Sequence, residues 1–287
     1  MITIRTNPGN TPIDTKRFIF GGGEIYTRIM SDVPSAVIIE LNFFQDGDII
    51  ELAMWVDALR RAGCKSISLH LPYFPGARQD RVCNPGEPLS VKVYANLINN
   101  MNFDVVTILD PHSEVTGAVL DRVRTIDNHA FVSDALYKIN ERHSTSTFTL
   151  ISPDAGSNKK IFGVAKEYKG AYPVIRADKL RNLVTGEIID IQVFATKKDL
   201  KGRTAIIIDD IAARCGTFLG LAKKLKALGA SNIYLIVTHF EGTADLSAVK
   251  ESGIDGIFTT DSKPFNSNDY NKKGFITIFN SSKYMIQ

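Results

Sequence analysis

The stretch Ala205-Ile-Ile-Ile-Asp-Asp-Ile-Ala-Ala-Arg-Cys-Gly-Thr-Phe218 decides how this chain is read. Its four leading apolar residues, three of them β-branched, predict a short buried strand. Asp209 and Asp210 then fall at the carboxyl end of that strand, where open parallel α/β sheets take their ligands. Gly216 and Thr217 follow, and Phe218, Leu221, Ala222, Leu225 and Leu228 mark one face of a helix that Gly229 can end. A strand, an acidic turn and a helix N-terminus suit a sugar phosphate. Carboxylates accept hydrogen bonds from ribose hydroxyls, while backbone N–H groups and the helix dipole hold phosphate oxygens. An ordinary strand-to-helix turn with solvated acids could carry the same letters, but paired acids at such a place favour a functional reading.

Outward from this stretch, short β-rich runs alternate with helical patterns in both halves. That grammar predicts an α/β fold with mainly parallel sheets. In the first half, Ala36–Leu41, Ser66–Leu71 and Asp104–Asp110 read as strands. Asp48–Ala62 reads as a helix stopped by Gly63, and Ser90–Met101 as a helix with Ser90 as its N-cap. A change of unit is expected near Asn128–Ser133, giving domains at 1–130 and 131–287. The second half offers a helix at Asp134–Glu141, a strand at Thr147–Ser152 and a helix at Gly156–Lys166. Strands are expected at Ala171–Ile175, Ile188–Thr196, Asn232–Val237 and Phe275–Phe279. Residues 178–187, polar and without clear periodicity, read as a mobile loop, and 262–273 as polar and turn-rich.

Composition narrows the class. With 44% hydrophobic and 23% charged residues, 287 residues can bury a sizeable core. A net charge of +3, with no basic run interleaved with aromatics, argues against nucleic acid. Cys64, Cys83 and Cys215 are odd in number and widely spaced, which suggests neither a disulfide framework nor a CxxC metal site. No apolar run approaches the length of a membrane span, and Met1-Ile-Thr-Ile-Arg5 is too short and too soon polar for a signal peptide. A soluble cytosolic protein, with no membrane partner, is the expectation.

Four further stretches stand where strands should end. Phe74-Pro-Gly-Ala-Arg-Gln-Asp-Arg81 offers arginine forks for phosphate, with Gln79 and Asp80 able to read a base or ribose. Asp110-Pro-His112 places an acid and an imidazole at another strand end. Pro153-Asp-Ala-Gly156, followed by Lys159 and Lys160, is a third strand-to-helix turn with an acid on it. Asp178-Lys-Leu-Arg181 carries two cations able to close over phosphates. Each taken alone is also compatible with a solvated turn.

Taken together and in order, these segments, with Gly86-Glu-Pro-Leu-Ser90, Asp209-Asp210 and Cys215-Gly-Thr217, resemble the ribose-phosphate pyrophosphokinase (phosphoribosyl pyrophosphate synthetase) family from about Phe20 to Thr260. The resemblance implies two similar domains like type I phosphoribosyltransferases, each a mainly parallel sheet flanked by helices. It places an ATP site in 1–130 and a ribose-phosphate acceptor site in 131–287. It implies transfer of the β,γ-diphosphate of ATP to the anomeric hydroxyl of ribose 5-phosphate, with release of AMP and Mg²⁺ as cofactor.

Position by position, the resemblance implies that Phe20 stacks on adenine with Glu24 nearby from a neighbouring subunit, and that Arg78, Gln79 and Asp80 complete the ATP site. His112 and Asp154 would place Mg²⁺, and Lys179 and Arg181 would neutralise charge on the transferred group. Asp209 and Asp210 would hold the ribose hydroxyls, and the loop Ala213, Arg214, Cys215, Gly216 and Thr217 the 5-phosphate. An ATP site shared between subunits implies a homo-oligomer, a dimer or a hexamer. Such phosphoryl-type transfer rests on positioning and electrostatics, and no nucleophilic Ser or Cys is needed.

The sequence also departs from that family. Its 5-phosphate loop usually opens Asp-Thr, where this chain has Ala213 and Arg214. A carboxylate and a hydroxyl are lost and a fixed cation is gained, so ADP-ribose, whose pyrophosphate Arg214 could grip, stands beside ribose 5-phosphate as acceptor. Phage-type relatives make ADP-ribose 1-pyrophosphate for NAD rebuilding. Gly22 stands where the adenine loop usually has Asp or Asn, the segment after His112 is one residue short, and the family's usual C-terminal helix is expected to be absent. A catalytically inactive regulatory partner of a true synthetase, and a phosphoribosyltransferase sharing the diphosphate-sugar loop, are the other readings.

Overall fold

The computed structural model describes residues 1–143, 147–181, 188–265 and 274–285. Two compact units result. One comprises Met1–Asp127 with Ser262–Pro264 and the described residues from Ser281 on; the other comprises Asn128–Asp261 with Phe265–Asn280.

The first unit holds a five-stranded sheet. Its order is β1 (Ile2–Thr6), β4 (Ala36–Leu41), β5 (Ser66–Leu71), β6 (Val106–Leu109) and β7 (Val123–Ile126). β1 is antiparallel to β4, and the other neighbours run parallel. Between β1 and β4 lies a separate antiparallel hairpin of β2 (Thr15–Ile19) and β3 (Ile25–Ile29). The helices are α1 (Gly47–Arg61), α2 (Ser90–Asn100) and α3 (Glu114–Val119).

The second unit carries a seven-stranded sheet. Its order is β10 (Ile188–Val193), β9 (Val174–Arg181), β8 (Phe148–Ser152), β11 (Thr204–Ala212), β12 (Asn232–Phe240), β13 (Gly256–Thr260) and β14 (Ile276–Phe279). Only β9 and β10 pair antiparallel. Helices α4 (His129–Arg142), α5 (Asn158–Glu167), α6 (Lys197–Leu200), α7 (Gly216–Ala227) and α8 (Leu246–Glu251) complete it. A last turn of helix, α9 (Ser282–Met285), returns to the first unit, where the Ser282 hydroxyl donates to Glu40 Oε1 at 2.5 Å and Tyr284 and Met285 are buried.

Central strands of a parallel sheet are covered on both faces and so read as unbroken apolar runs. β11 obeys this: Ile206, Ile207 and Ile208 are at most 1% exposed. Each such side chain contributes about 1.5–3 kcal/mol by leaving water. On one face of β11, Ala205 and Ile207 belong to a core that includes Phe218, Leu221, Ala222 and Leu225 of α7. The predicted amphipathic face of this helix is therefore what docks it, and Gly229 follows at φ +96°, a conformation that glycine adopts without strain.

The chain doubles back in the second sheet. From β8 it builds outward through β9 to β10, then returns to the other side of β8 with β11 and builds the opposite way. The gap between the carboxyl ends of β8 and β11 is therefore a topological switch point, the place where such sheets open a ligand crevice.

Several local expectations change. β11 runs on to Ala212, so Asp209 and Asp210 lie within the strand rather than after it. Ser90 is the first residue of α2, with Leu89 as N-cap. Gly156 precedes α5, which begins at Asn158. Asp178–Arg181, read as part of a mobile loop, form the end of β9, because β10 pairs with it from Ala177 to Arg181. Residues 182–187 of that expected loop lie outside the described residues, as do 266–273 of the turn-rich stretch.

Candidate active site

At the switch point three acids converge. Asp154 stands on the turn between β8 and α5, and Asp209 and Asp210 stand near the end of β11. The Asp154 carboxylate is held at each oxygen: Oδ1 accepts from the Ser157 backbone N–H at 3.0 Å, and Oδ2 accepts from Lys179 Nζ at 2.6 Å. The Ser157 hydroxyl lies 3.1 Å from Asp154 Oδ1 and 2.9 Å from Asp209 Oδ1. Asp209 Oδ1 also accepts from the Asp210 backbone N–H at 3.0 Å.

Lys179 reaches this cluster because β9 is a strand. Ile175 and Ala177 are buried on one face, and alternation puts Lys179 on that same side. Arg181 is the last residue of β9, two positions further on.

Electrostatics separates the acids. For Asp154, burial acts to raise the pKa, but the Lys179 ion pair and the Ser157 hydrogen bonds outweigh it and hold the carboxyl below its ordinary value. Asp209 goes the other way. Burial first, then the charge and hydrogen bond of Asp210, then the charge of Asp154, push it well above the carboxylate range. Asp209 keeps some exposure while its carboxyl is surrounded by protein, and Asp210 is 6% exposed. Like-charged oxygens held this close favour either a shared proton or a cation.

Beyond β11, Ala213 is partly exposed and Arg214 is exposed, with no ion pair among the described residues. Cys215 adopts the left-handed conformation, φ 60°, as N-cap of α7, and makes no side-chain cap bond. Its side chain is buried in the core and burial pushes its thiol up to about 12, so the residue faces the loop through its backbone alone. Gly216 and Thr217 open α7, whose first N–H groups have no intrahelical acceptor. These donors suit a phosphate.

The first unit gathers a different set. The Gln79 backbone N–H donates to the Gly76 carbonyl at 2.9 Å, folding the loop after β5 into a turn. Gly76 has φ +72°, and a Cβ there would meet the Tyr94 ring at 2.7 Å, so only glycine lets the loop lie against α2. Arg78 and Gln79 are exposed. The carboxyl of Asp80 is largely buried and accepts from Arg81 Nε at 3.0 Å, which holds its pKa below the ordinary value, with His112 adding to the pull. The structure thus brings together Asp80 and His112 from two separate loops. His112 follows Asp110, a buried acid at φ 41°, an uncommon backbone state for a residue other than glycine.

Phe20 and Glu24 close the β2–β3 hairpin, where the Phe20 N–H donates to the Glu24 carbonyl at 2.8 Å, so the two arrive together from one chain. Phe20 is 49% exposed, edge-on to Phe18, which stacks on Tyr26. An exposed aromatic ring backed by other rings is a platform for a flat apolar surface.

Among the described residues, no three His, Cys, Asp or Glu side chains form a ready metal cage. Mg²⁺ requires none, since one or two carboxylates plus phosphate oxygens and water hold it. Asp154, an oriented oxygen donor with a cation already on Oδ2, fits that chemistry, whereas His112 offers the nitrogen that Mg²⁺ does not favour. Sequence reasoning missed Ser157, which it read as part of a helix. An Asp three residues before a Ser is the signal of a side chain closing a turn on a backbone N–H. No helix among the described residues is long and apolar enough to cross a membrane.

Comparison with known proteins agrees with this arrangement. Residues 3–101 match the profile of the N-terminal domain of ribose phosphate pyrophosphokinase, and 175–283 that of the phosphoribosyl synthetase-associated domain. A ribose-phosphate pyrophosphokinase of Thermococcus kodakarensis is 30% identical over 230 residues, covering 79% of this chain and 77% of the relative. One from Bradyrhizobium diazoefficiens is 34% identical over 223 residues, covering 77% and 68%. The solved phosphoribosylpyrophosphate synthetase of Mycobacterium smegmatis superposes with a TM-score of 0.77 at 22% identity, covering 94% of this chain and 87% of that one, which shows a shared fold. On the strength of the sequence relatives, the chain belongs to the ribose-phosphate pyrophosphokinase family of diphosphotransferases.

Proposed function

We propose that this protein transfers the β,γ-diphosphate of ATP to the anomeric hydroxyl of a 5-phosphorylated ribose and releases AMP. The observation that carries the proposal is the acid cluster at the β8–β11 switch point, with Lys179 inside it and the open first turn of α7 beyond it. Asp209 and Asp210 accept from the ribose hydroxyls, and the N–H groups of Gly216 and Thr217 hold the 5-phosphate. Phe20 stacks on adenine, Glu24 lies beside it, and Arg78, Gln79 and Asp80 serve the ATP site.

Asp154 would hold Mg²⁺, with His112 assigned to a metal role by family resemblance alone. When bound, Mg²⁺ bridges and screens the phosphates. Lys179 and Arg181 then stand where negative charge develops on the transferred group. Asp154 orients Lys179 until phosphate oxygens compete for it, and no protein nucleophile takes part. The protein is proposed to work as a homo-oligomer.

Ribose 5-phosphate and ADP-ribose are both candidate acceptors. The second is favoured by the exposed, unpaired Arg214 beside Ala213, a cation poised for a diphosphate rather than a monoester. An inactive regulatory role finds less support, because Lys179, Asp154, Asp209 and Asp210 are all retained. The deciding experiment is AMP release from ATP and Mg²⁺ with each acceptor separately, the product identified by mass. Turnover with either acceptor supports the diphosphotransferase reading and names the substrate, and silence with both from folded protein overturns it.

A further inference from the structure

Ser157 sits at the N-cap of α5, a place where serine ordinarily turns its hydroxyl onto the first helical N–H groups. Here it makes no such cap bond. The residue is 6% exposed, and its Oγ lies instead between two carboxyls that come from different strands, 3.1 Å from Asp154 Oδ1 and 2.9 Å from Asp209 Oδ1. A buried hydroxyl that forgoes its local partners for two acids is placed for the acids.

We infer that Ser157 is a positioning residue for the acceptor, an inference that rests on the acceptor-site reading above. Asp209 Oδ1 is fixed by the Ser157 hydroxyl and by the Asp210 N–H, and neither bond uses Oδ2. The plane of the carboxyl is thereby set, and Oδ2 is the oxygen that meets a sugar hydroxyl. The hydroxyl has one proton, which it gives to one carboxyl at a time while its lone pairs face the other. It thus keeps two acid oxygens within reach of each other that would otherwise turn apart. Without it, Asp209 can rotate about its side-chain torsions and no longer presents one oxygen to the acceptor. Ser157 itself need not touch the substrate.

The test is steady-state kinetics of Ser157→Ala and Ser157→Gly, with ribose 5-phosphate and ADP-ribose as separate acceptors and Asp209→Asn as the site reference. Because α5 loses no cap bond, the variants should fold, as circular dichroism would verify. The acceptor KM is expected to rise about tenfold, the worth of one hydrogen bond to a charged group. The KM for ATP should stay within about twofold, since uniform loosening of the fold would move both constants. Ser157→Thr, which keeps the hydroxyl, should recover most of the loss. An unchanged acceptor KM in both Ser157 variants, with a raised one in Asp209→Asn, overturns the positioning role and leaves the site reading standing. An unchanged acceptor KM in Asp209→Asn as well, or no turnover by the intact protein with either acceptor, overturns the site reading and this inference with it.

Discussion

The two sheets of this chain make their functional surfaces in different ways. In the first unit the parallel strands β4 to β7 follow one another in a single direction, with no reversal among them. The candidate residues there sit on separate loops and one hairpin, and several are exposed: Phe20, Arg78 and Gln79. In the second unit the sheet reverses between β8 and β11, and the reversal presses Asp154, Asp209 and Asp210 into one crevice with Lys179. Topology alone preassembles the second site. The first awaits its ligand to bring loop residues to a common task.

That contrast sets an order of sensitivity. The largest effect is expected inside the crevice. Lys179→Ala should lower turnover by about a thousandfold while ATP KM moves little, because its bond to the transferred group forms mainly in the transition state. Single-turnover rates and ATP titration check this, and an unchanged rate removes β9 from the chemistry. On the hairpin, Phe20→Ala should raise ATP KM about tenfold through lost stacking and leave the acceptor constant alone. Equal change in both would erase the division of labour between the units. At the loop, Ala213→Asp with Arg214→Thr should shift the ratio of specificity constants about tenfold toward ribose 5-phosphate. A static ratio would mean that these two positions do not choose the acceptor.

The smallest effect is on stability, and its sign follows from the raised Asp209. An acid whose folded pKa lies above its unfolded one keeps its proton in the native state after the unfolded chain has lost it. Stability therefore falls as pH rises from the ordinary carboxylate value toward the folded one. Asp209→Asn should remove that penalty, raising Tm at neutral pH by about 2–4 °C and flattening the slope, even as it abolishes acceptor binding. Asp154, held low, works oppositely: its pair with Lys179 stabilises above the ordinary carboxylate value and is lost as pH falls through its lowered pKa. Thermal melts across pH read both. A lower Tm for Asp209→Asn at neutral pH would contradict the strained-pair account.

Much of the second site was legible in the sequence because β11 announces itself. An unbroken β-branched run ending in two acids admits few other places in an α/β fold. The strand character of Asp178–Arg181 was hidden, since polar residues carry no burial signal and the pairing that fixes them comes from β10, several residues later. The hairpin was illegible for a similar reason: every residue of β2 is exposed, so no alternation marks it. Ser157 was legible only as one letter in a turn. Its part depends on Asp209, 52 positions away, which only the parallel pairing of β8 with β11 brings near.

The central claim is that the crevice of the second unit takes the acceptor while the loops of the first serve ATP. The measurement that tests it most directly is a crossed pair of Michaelis constants for Asp209→Asn and Arg78→Ala, varying acceptor and ATP in turn. The account predicts that Asp209→Asn raises the acceptor constant alone and Arg78→Ala the ATP constant alone. An acceptor constant that follows Arg78 rather than Asp209 would contradict it.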